Sequence, residues 1–205
     1  MLTKLFLDYG NTVYGIEPNK AMREVGELYL AQYPDFHSMS GTAEATYLDA
    51  ASIDFITVGT AFHWFDVEKT KQEFKRIARP HAWVVLVWNV RDIESPLIHE
   101  YENLLLEYGC DYANSNAKKL DKVAMDTFFK GHTIKTAAFK NIQYFNWEGF
   151  KGRLLSTSFI PRSEHAKYKP MIQQLKNIFL KYEKNGTIEF YTKPICIILK
   201  LHRIC

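Results

Sequence analysis

His63 and Asp66 stand close together in the run Ala61-Phe62-His63-Trp64-Phe65-Asp66, an imidazole set among aromatic side chains. A histidine in such a loop could take a proton from a hydroxyl, because its ordinary pKa lies near neutrality. It could equally be a packed, hydrogen-bonded loop residue. As metal ligands the two are too few, since no third donor follows at a recognisable spacing. Cys110, Cys196 and Cys205 are widely separated and form no C-x-x-C, which points to ordinary reduced thiols and away from a disulfide framework or zinc knuckle. No Gly-x-Ser-x-Gly is present to carry a hydrolase nucleophile.

The elements that must hold these residues follow from periodicity. Leu2, Leu5, Phe6 and Tyr9 have helical spacing, and Gly10-Asn11 ends that run as a C-cap does. Residues 13–16 read as a short buried strand. Pro18 opens a second helix, with Met22, Val25, Leu28, Tyr29 and Gln32 on a mostly apolar stripe that Pro34 closes. Residues 36–40 form a weak strand and 53–58 a continuous apolar one. A helix over 67–78 places Thr70, Phe74 and Ile77 on one face. Residues 83–88 are apolar throughout, which predicts a strand covered on both faces. Strands alternating with helices across short loops imply an α/β fold with a parallel, doubly wound sheet.

Beyond Arg91 the rhythm changes. Leu97, Ile98, Tyr101, Leu104, Leu105 and Tyr108 define an amphipathic helix, and residues 112–130 are polar until Phe128-Phe129. Residues 142–147 alternate like a half-buried strand, and a short helix follows over 147–157. Met171, Leu175, Ile178, Phe179 and Tyr182 share another helical stripe. Asn185-Gly186 makes a turn into a long strand over 187–202, which Pro194 should bulge or confine to an edge.

The chain has 205 residues, 47% hydrophobic and 15% aromatic, enough to bury one sizeable core. A net charge of +3, from 26 Lys+Arg against 23 Asp+Glu, gives no basic stripe for nucleic acid. Residues 82–88 are the longest apolar run, far short of the ~20 needed to span a bilayer, and the N-terminal residues show no secretory signal. A cytoplasmic protein with no membrane or nucleic-acid partner is expected.

Five stretches in this order and spacing carry a resemblance: Val13-Tyr14-Gly15-Ile16-Glu17-Pro18-Asn19, then Gly41-Thr42-Ala43-Glu44-Ala45, then residues 54–58, then residues 61–66, then Trp83-Val84-Val85-Leu86-Val87-Trp88-Asn89. The chain resembles the class I methyltransferases that use S-adenosylmethionine, in particular the small-molecule group that includes trans-aconitate and ubiquinone/menaquinone-type enzymes. Residues 144–158 and the final hairpin look like that group's C-terminal part. The resemblance implies a Rossmann-like, mostly parallel sheet of order 3-2-1-4-5-7-6 with a C-terminal antiparallel hairpin. It also implies a cofactor lying across the carboxyl ends of the strands. One domain over 1–205 is expected, with a cofactor-binding part at 1–93 and a helical cover and hairpin at 94–205.

Carried over residue by residue, the likeness implies that Glu17, beside Pro18, accepts hydrogen bonds from the two ribose hydroxyls, which suits a carboxylate; Glu17 could otherwise cap the helix. Thr42, Ala43 and Glu44 fall where the family contacts adenine, unless they form a simple turn. Gly59, Thr60 and Ala61 face the sulfonium, with His63 a candidate catalytic base and Trp64 beside it. Trp88 and Arg91 wall the acceptor pocket, and Tyr112, Trp147 and Arg153 belong to the covering region that selects a small-molecule acceptor. An aromatic stripe there could also be plain core.

The family's first strand and its glycine-rich loop have no counterpart ahead of residue 13. The expectation is a truncated member with impaired methyl transfer, whose two central strand edges lack a partner. The alternative is a catalytically inactive relative that binds a partner or self-associates as a homo-oligomer. Pro80-His81-Ala82 is a second departure, in a turn where the family often has Pro-Gly-Gly.

Overall fold

A computed structural model describes residues 2–110, 112, 122–131, 133–157 and 159–200. Ser158 of the resembling run, residues 201–202 of the expected last strand and Cys205 lie outside them. In chain order the elements are α1 (Leu2–Asp8), β1 (Val13–Ile16), α2 (Lys20–Tyr29), β2 (Phe36–Met39), β3 (Ile53–Gly59), α3 (Val67–Ile77) and β4 (Ala78–Arg91). There follow α4 (Pro96–Tyr108), α5 (Lys122–Phe129), β5 (Ile134–Ala138), β6 (Asn141–Phe145), α6 (Trp147–Leu155), α7 (Tyr168–Tyr182) and β7 (Ile188–Lys200). They form two compact units, one of Met1–Val87, Lys119–Lys135 and Ile197–Cys205, the other of Trp88–Lys118 and Thr136–Cys196.

In the first unit, β1 runs parallel to β2, from Val13 opposite Phe36 to Ile16 opposite Met39. β3 runs parallel to β4, from Phe55 opposite Trp83 to Gly59 opposite Val87. These are separate ladders: among the described residues no strand pairs with the second edge of β1 or the outer edge of β3. The unpaired edges expected from the sequence are therefore present. Helix α1 reaches the open strand, with the Phe6 ring centroid 5.5 Å from that of Phe55. A Cβ on Gly59 would meet Leu2 Cδ2 at 3.8 Å.

Helix α2 turns its faces in an unforeseen way. Asn19, not Pro18, sets its start, the side chain accepting from Met22 N at 3.1 Å. The apolar stripe is outward, with Met22 65%, Val25 63% and Leu28 79% exposed. Toward the strands the helix presents its polar face: Arg23 Nη1 donates to the Glu17 carbonyl at 3.1 Å, and Ser38 Oγ to Glu27 at 2.6 Å.

β4 is longer than its apolar run. Ile53 pairs with Ala78 but Phe55 with Trp83, so residues 79–82 loop out of register. His81 there adopts φ 69°, a conformation suited to glycine. Its centre, Val84, Val85, Leu86 and Trp88, is buried as expected.

In the second unit Leu97, Ile98, Tyr101, Leu104 and Leu105 of α4 pack with Phe150, Leu154, Met171, Leu175 and Phe190. Each fully buried aliphatic or aromatic side chain of this kind contributes about 1.5–3 kcal/mol. β6 pairs antiparallel with β7, from Asn141 opposite Thr192 to Phe145 opposite Ile188. Asn185 and Gly186, both at positive φ, make the turn into β7. β7 lies between β4 and β5, so of the two expectations for Pro194, a bulge or an edge, the edge strand is not met. Its carbonyl accepts from Phe139 N at 3.0 Å, where the neighbouring chain passes from β5 to β6 and the ladder is interrupted anyway.

Candidate functional site

The carboxyl ends of β1 and β2 are neighbours, because Glu17 N donates to Met39 O at 3.1 Å. Glu17 is half-buried, and its Oε1 accepts from Asn19 N at 2.9 Å, which shapes the entry to α2. Among the described residues Oε2 has no donor, so the carboxylate keeps acceptor capacity while serving locally. Pro18 is exposed just ahead of the cap.

After β2, Thr42 and Ala45 exchange backbone hydrogen bonds at 3.1 and 3.2 Å, closing a tight turn with Ala43 and Glu44 at its tip. Glu44 is turned to structural use. Its Oε1 accepts from Asp66 N at 2.9 Å and from Thr70 Oγ1 at 3.5 Å, tying the turn to the start of α3. Burial pushes the Glu44 carboxyl up, but bonds from Thr42, the Asp66 amide and Thr70 outweigh it and hold the group below its ordinary value.

At the end of β3, Thr60 adopts φ 51° and its N–H bonds Val87 O at 2.8 Å, which aims the loop Gly59-Thr60-Ala61 out of the strand. A non-glycine residue in that region costs on the order of 1 kcal/mol. His63 lies in the following 3₁₀ turn, Phe62–Trp64, its ring centroid 4.6 Å from that of Trp64. Burial lowers the His63 pKa, so the imidazole is neutral at pH 7 and able to accept a proton. Trp64 is 76% exposed.

The second unit gathers several of the expected acceptor residues. Arg91 Nε donates to Glu102 Oε1, Arg91 Nη2 donates to the Tyr112 hydroxyl, and that hydroxyl donates to Glu102 Oε2 at 2.7 Å. Burial opposes the Arg91 charge, but Glu102 and Tyr112 outweigh it and raise the pKa. Burial likewise raises the Tyr112 phenol, and pushes Tyr101 up to about 12. Arg153 sits over Phe190, 4.2 Å from the ring centroid, and 5.7 Å from Phe145. Its Nη1 donates to Gln143 Oε1 at 3.3 Å, while Nε is buried without a hydrogen bond. Burial depresses the Arg153 pKa.

Trp88 is buried. Trp147, half-buried, packs edge-on against Phe179 at 5.7 Å with Lys176 Nζ 4.4 Å over its ring, at the border of the second unit's core. Glu102, Tyr101 and Gln143 were not foreseen as site residues. Glu102 had a signal: it lies one turn from Ile98 and Leu105 on the apolar side of α4, where a carboxylate needs a partner.

A family model described as methyltransferase domain matches residues 1–86. Over that stretch the chain is similar to methyltransferase domains. The chain is 30% identical over 82 residues to an uncharacterized methyltransferase of Schizosaccharomyces pombe, covering 40% of this chain and 33% of the relative. It is 35% identical over 91 residues to one of Mycobacterium tuberculosis strain H37Rv, 44% of this chain and 36% of the relative. The chain thus spans about a third of the length of the curated relatives it matches. A solved protein from Anaeromyxobacter dehalogenans, described as a type II methyltransferase, superposes with TM-score 0.61 at 17% identity, over 98% of this chain and 84% of its own. The YcgJ protein of Bacillus subtilis gives 0.53 at 20% identity, over 93% and 82%. These likenesses show a Rossmann-like α/β methyltransferase fold.

For S-adenosylmethionine, the donor set fits the nucleoside half. Glu17 Oε2 is open at the end of β1, beside the turn after β2. The methionine half finds no glycine cradle among the described residues near β1. Gly15 lies within the strand, where an added Cβ would meet the Phe36 ring at 2.8 Å, and Gly10 ends α1.

Proposed function

We propose that this protein, in the cytoplasm, takes part in transfer of a methyl group from S-adenosylmethionine to a small-molecule acceptor. The observation that carries the reading is the methyltransferase-domain match over residues 1–86, with Glu17 at the end of β1 keeping one acceptor oxygen open. When bound, the cofactor would supply a methyl group on a cationic sulfur. Glu17, with Pro18 beside it, would hold the ribose hydroxyls, Thr42, Ala43 and Glu44 would serve the adenine, and Gly59, Thr60 and Ala61 would serve the methionine half. In the first unit His63, neutral at pH 7, would take up a proton, with Trp64 beside it; in the second unit Trp88, Arg91, Tyr112, Trp147 and Arg153 would serve acceptor choice.

Calorimetric titration of the 205-residue chain with S-adenosylmethionine tests this, with Glu17→Ala as control. Micromolar binding that the substitution weakens at least tenfold is expected if this chain holds the cofactor by itself. A folded chain with no heat of binding would instead favour a second reading, a non-catalytic domain that binds a partner or self-associates. The open edges of β1 and β3 support that second reading, because unpaired strand edges are templates for another chain. Sedimentation of the purified protein checks it: a strictly monomeric species would count against self-association.

A further inference from the structure

We propose that Arg153 is the recognition point for a carboxylate on the small molecule this protein takes up. Naming that molecule as the methyl acceptor rests on the proposed methyl transfer; the anion site itself does not.

The charges around Tyr101 do not balance. Arg91, whose Cζ lies 6.0 Å from the Tyr101 ring centroid, is neutralised by Glu102. Arg153 interacts electrostatically with the same phenol and with Arg91, which repels it, and forms no ion pair among the described residues. The group Arg91, Glu102 and Arg153 therefore carries one uncompensated positive charge in surroundings of Phe145, Phe190 and Tyr101. Taking a guanidinium out of water without a counter-ion is unfavourable, and stacking on a ring offsets only part of it. A purely structural role is better served by a neutral side chain.

The orientation also suits an anion. Gln143 holds Nη1, which fixes the guanidinium plane, while Nε and Nη2, the side-on edge, donate to nothing among the described residues. That edge matches the two oxygens of a carboxylate. One negative charge restores neutrality, and the Phe145 and Phe190 rings beside the guanidinium favour an organic anion over a fully hydrated one. A phosphate dianion would overshoot the charge and need more donors than these residues offer.

The test is thermal unfolding of the whole chain, without S-adenosylmethionine, in sodium benzoate, sodium phosphate and sodium chloride at equal ionic strength. At ten times its half-saturating concentration, benzoate should raise the midpoint by about 3 °C over chloride. Phosphate should give less than a third of that. Arg153→Met should melt at or above wild type in chloride and lose the benzoate shift, whereas Arg153→Lys should retain part of it. The proposal is overturned if wild type shows no benzoate shift, if phosphate matches benzoate, if the shift survives in Arg153→Met, or if that variant melts below wild type. Because no cofactor is present, a negative result leaves the methyl-transfer reading standing, and a failed cofactor titration leaves this result standing.

Discussion

Glu73 and Thr46 are bonded twice: Glu73 Oε1 accepts the Thr46 backbone N–H at 2.9 Å and also its hydroxyl. Arg76 closes the other side with Nε on Glu73 Oε2 at 2.7 Å, so a buried carboxylate of α3 anchors the loop between β2 and β3. The Arg76 and Thr46 bonds outweigh burial and lower the Glu73 pKa from 4.5 to about 2. A carboxyl whose folded pKa lies below its unfolded value stabilises the fold fully above the unfolded pKa. That stability is lost as pH falls through the folded one. Between pH 5 and 2 the wild type should thus lose about 2 kcal/mol that Glu73→Gln does not, discounted for solvent at Arg76. Urea unfolding across that range reads the difference.

Glu102→Gln should cost about 3 kcal/mol in urea unfolding, because it leaves the half-buried Arg91 charge without its counter-ion. The double change Arg91→Met with Glu102→Leu should cost less than the single one. If the double variant is the weaker of the two, the pair contributes more than it costs to bury.

Most of the elements were legible. β3, β4, α4 and α7 announce themselves by unbroken apolar runs or helical stripes, and Asn185-Gly186 by its turn chemistry. The facing of α2 was not. Periodicity specifies a stripe but not its partner, and here Arg23 and Glu27 form the contact with β1 and β2 while Met22, Val25 and Leu28 face outward. Nor was β5 legible, since Lys135, Thr136 and the two alanines offer little alternation. For the candidate site, Glu17 and Arg153 were candidates only through the family resemblance. Glu44's commitment to α3 and the Glu102 counter-ion could not be named, because both depend on residues distant in sequence.

Amide hydrogen exchange should register the gap in the first unit. The Thr60 N–H, bonded to Val87 O, should be protected, whereas N–H groups on the outer edges of β1 and β3 should exchange at least tenfold faster than those within either ladder. Uniform protection along both edges would mean that another chain covers them in solution.

His63 gives a pH signature. Its folded pKa is held below the ordinary 6.5, so protons prefer the unfolded chain and stability falls as pH drops below about 6.5. His63→Gln should remove that dependence. If His63 serves as base, methyl transfer should decline over the same acidic range and fall at least a hundredfold in the variant at pH 7.5.

The interleaving of the two units bears on how the protein is made. The first unit draws on Met1–Val87 but also on residues from Ile197 onward, where Ile197 and Leu199 are buried. A ribosome therefore releases β1 through β4 long before the strand end that completes their surroundings has been synthesised. Until then Val84, Val85 and Leu86 must wait partly uncovered, a window in which a chaperone or a neighbouring nascent chain can reach them.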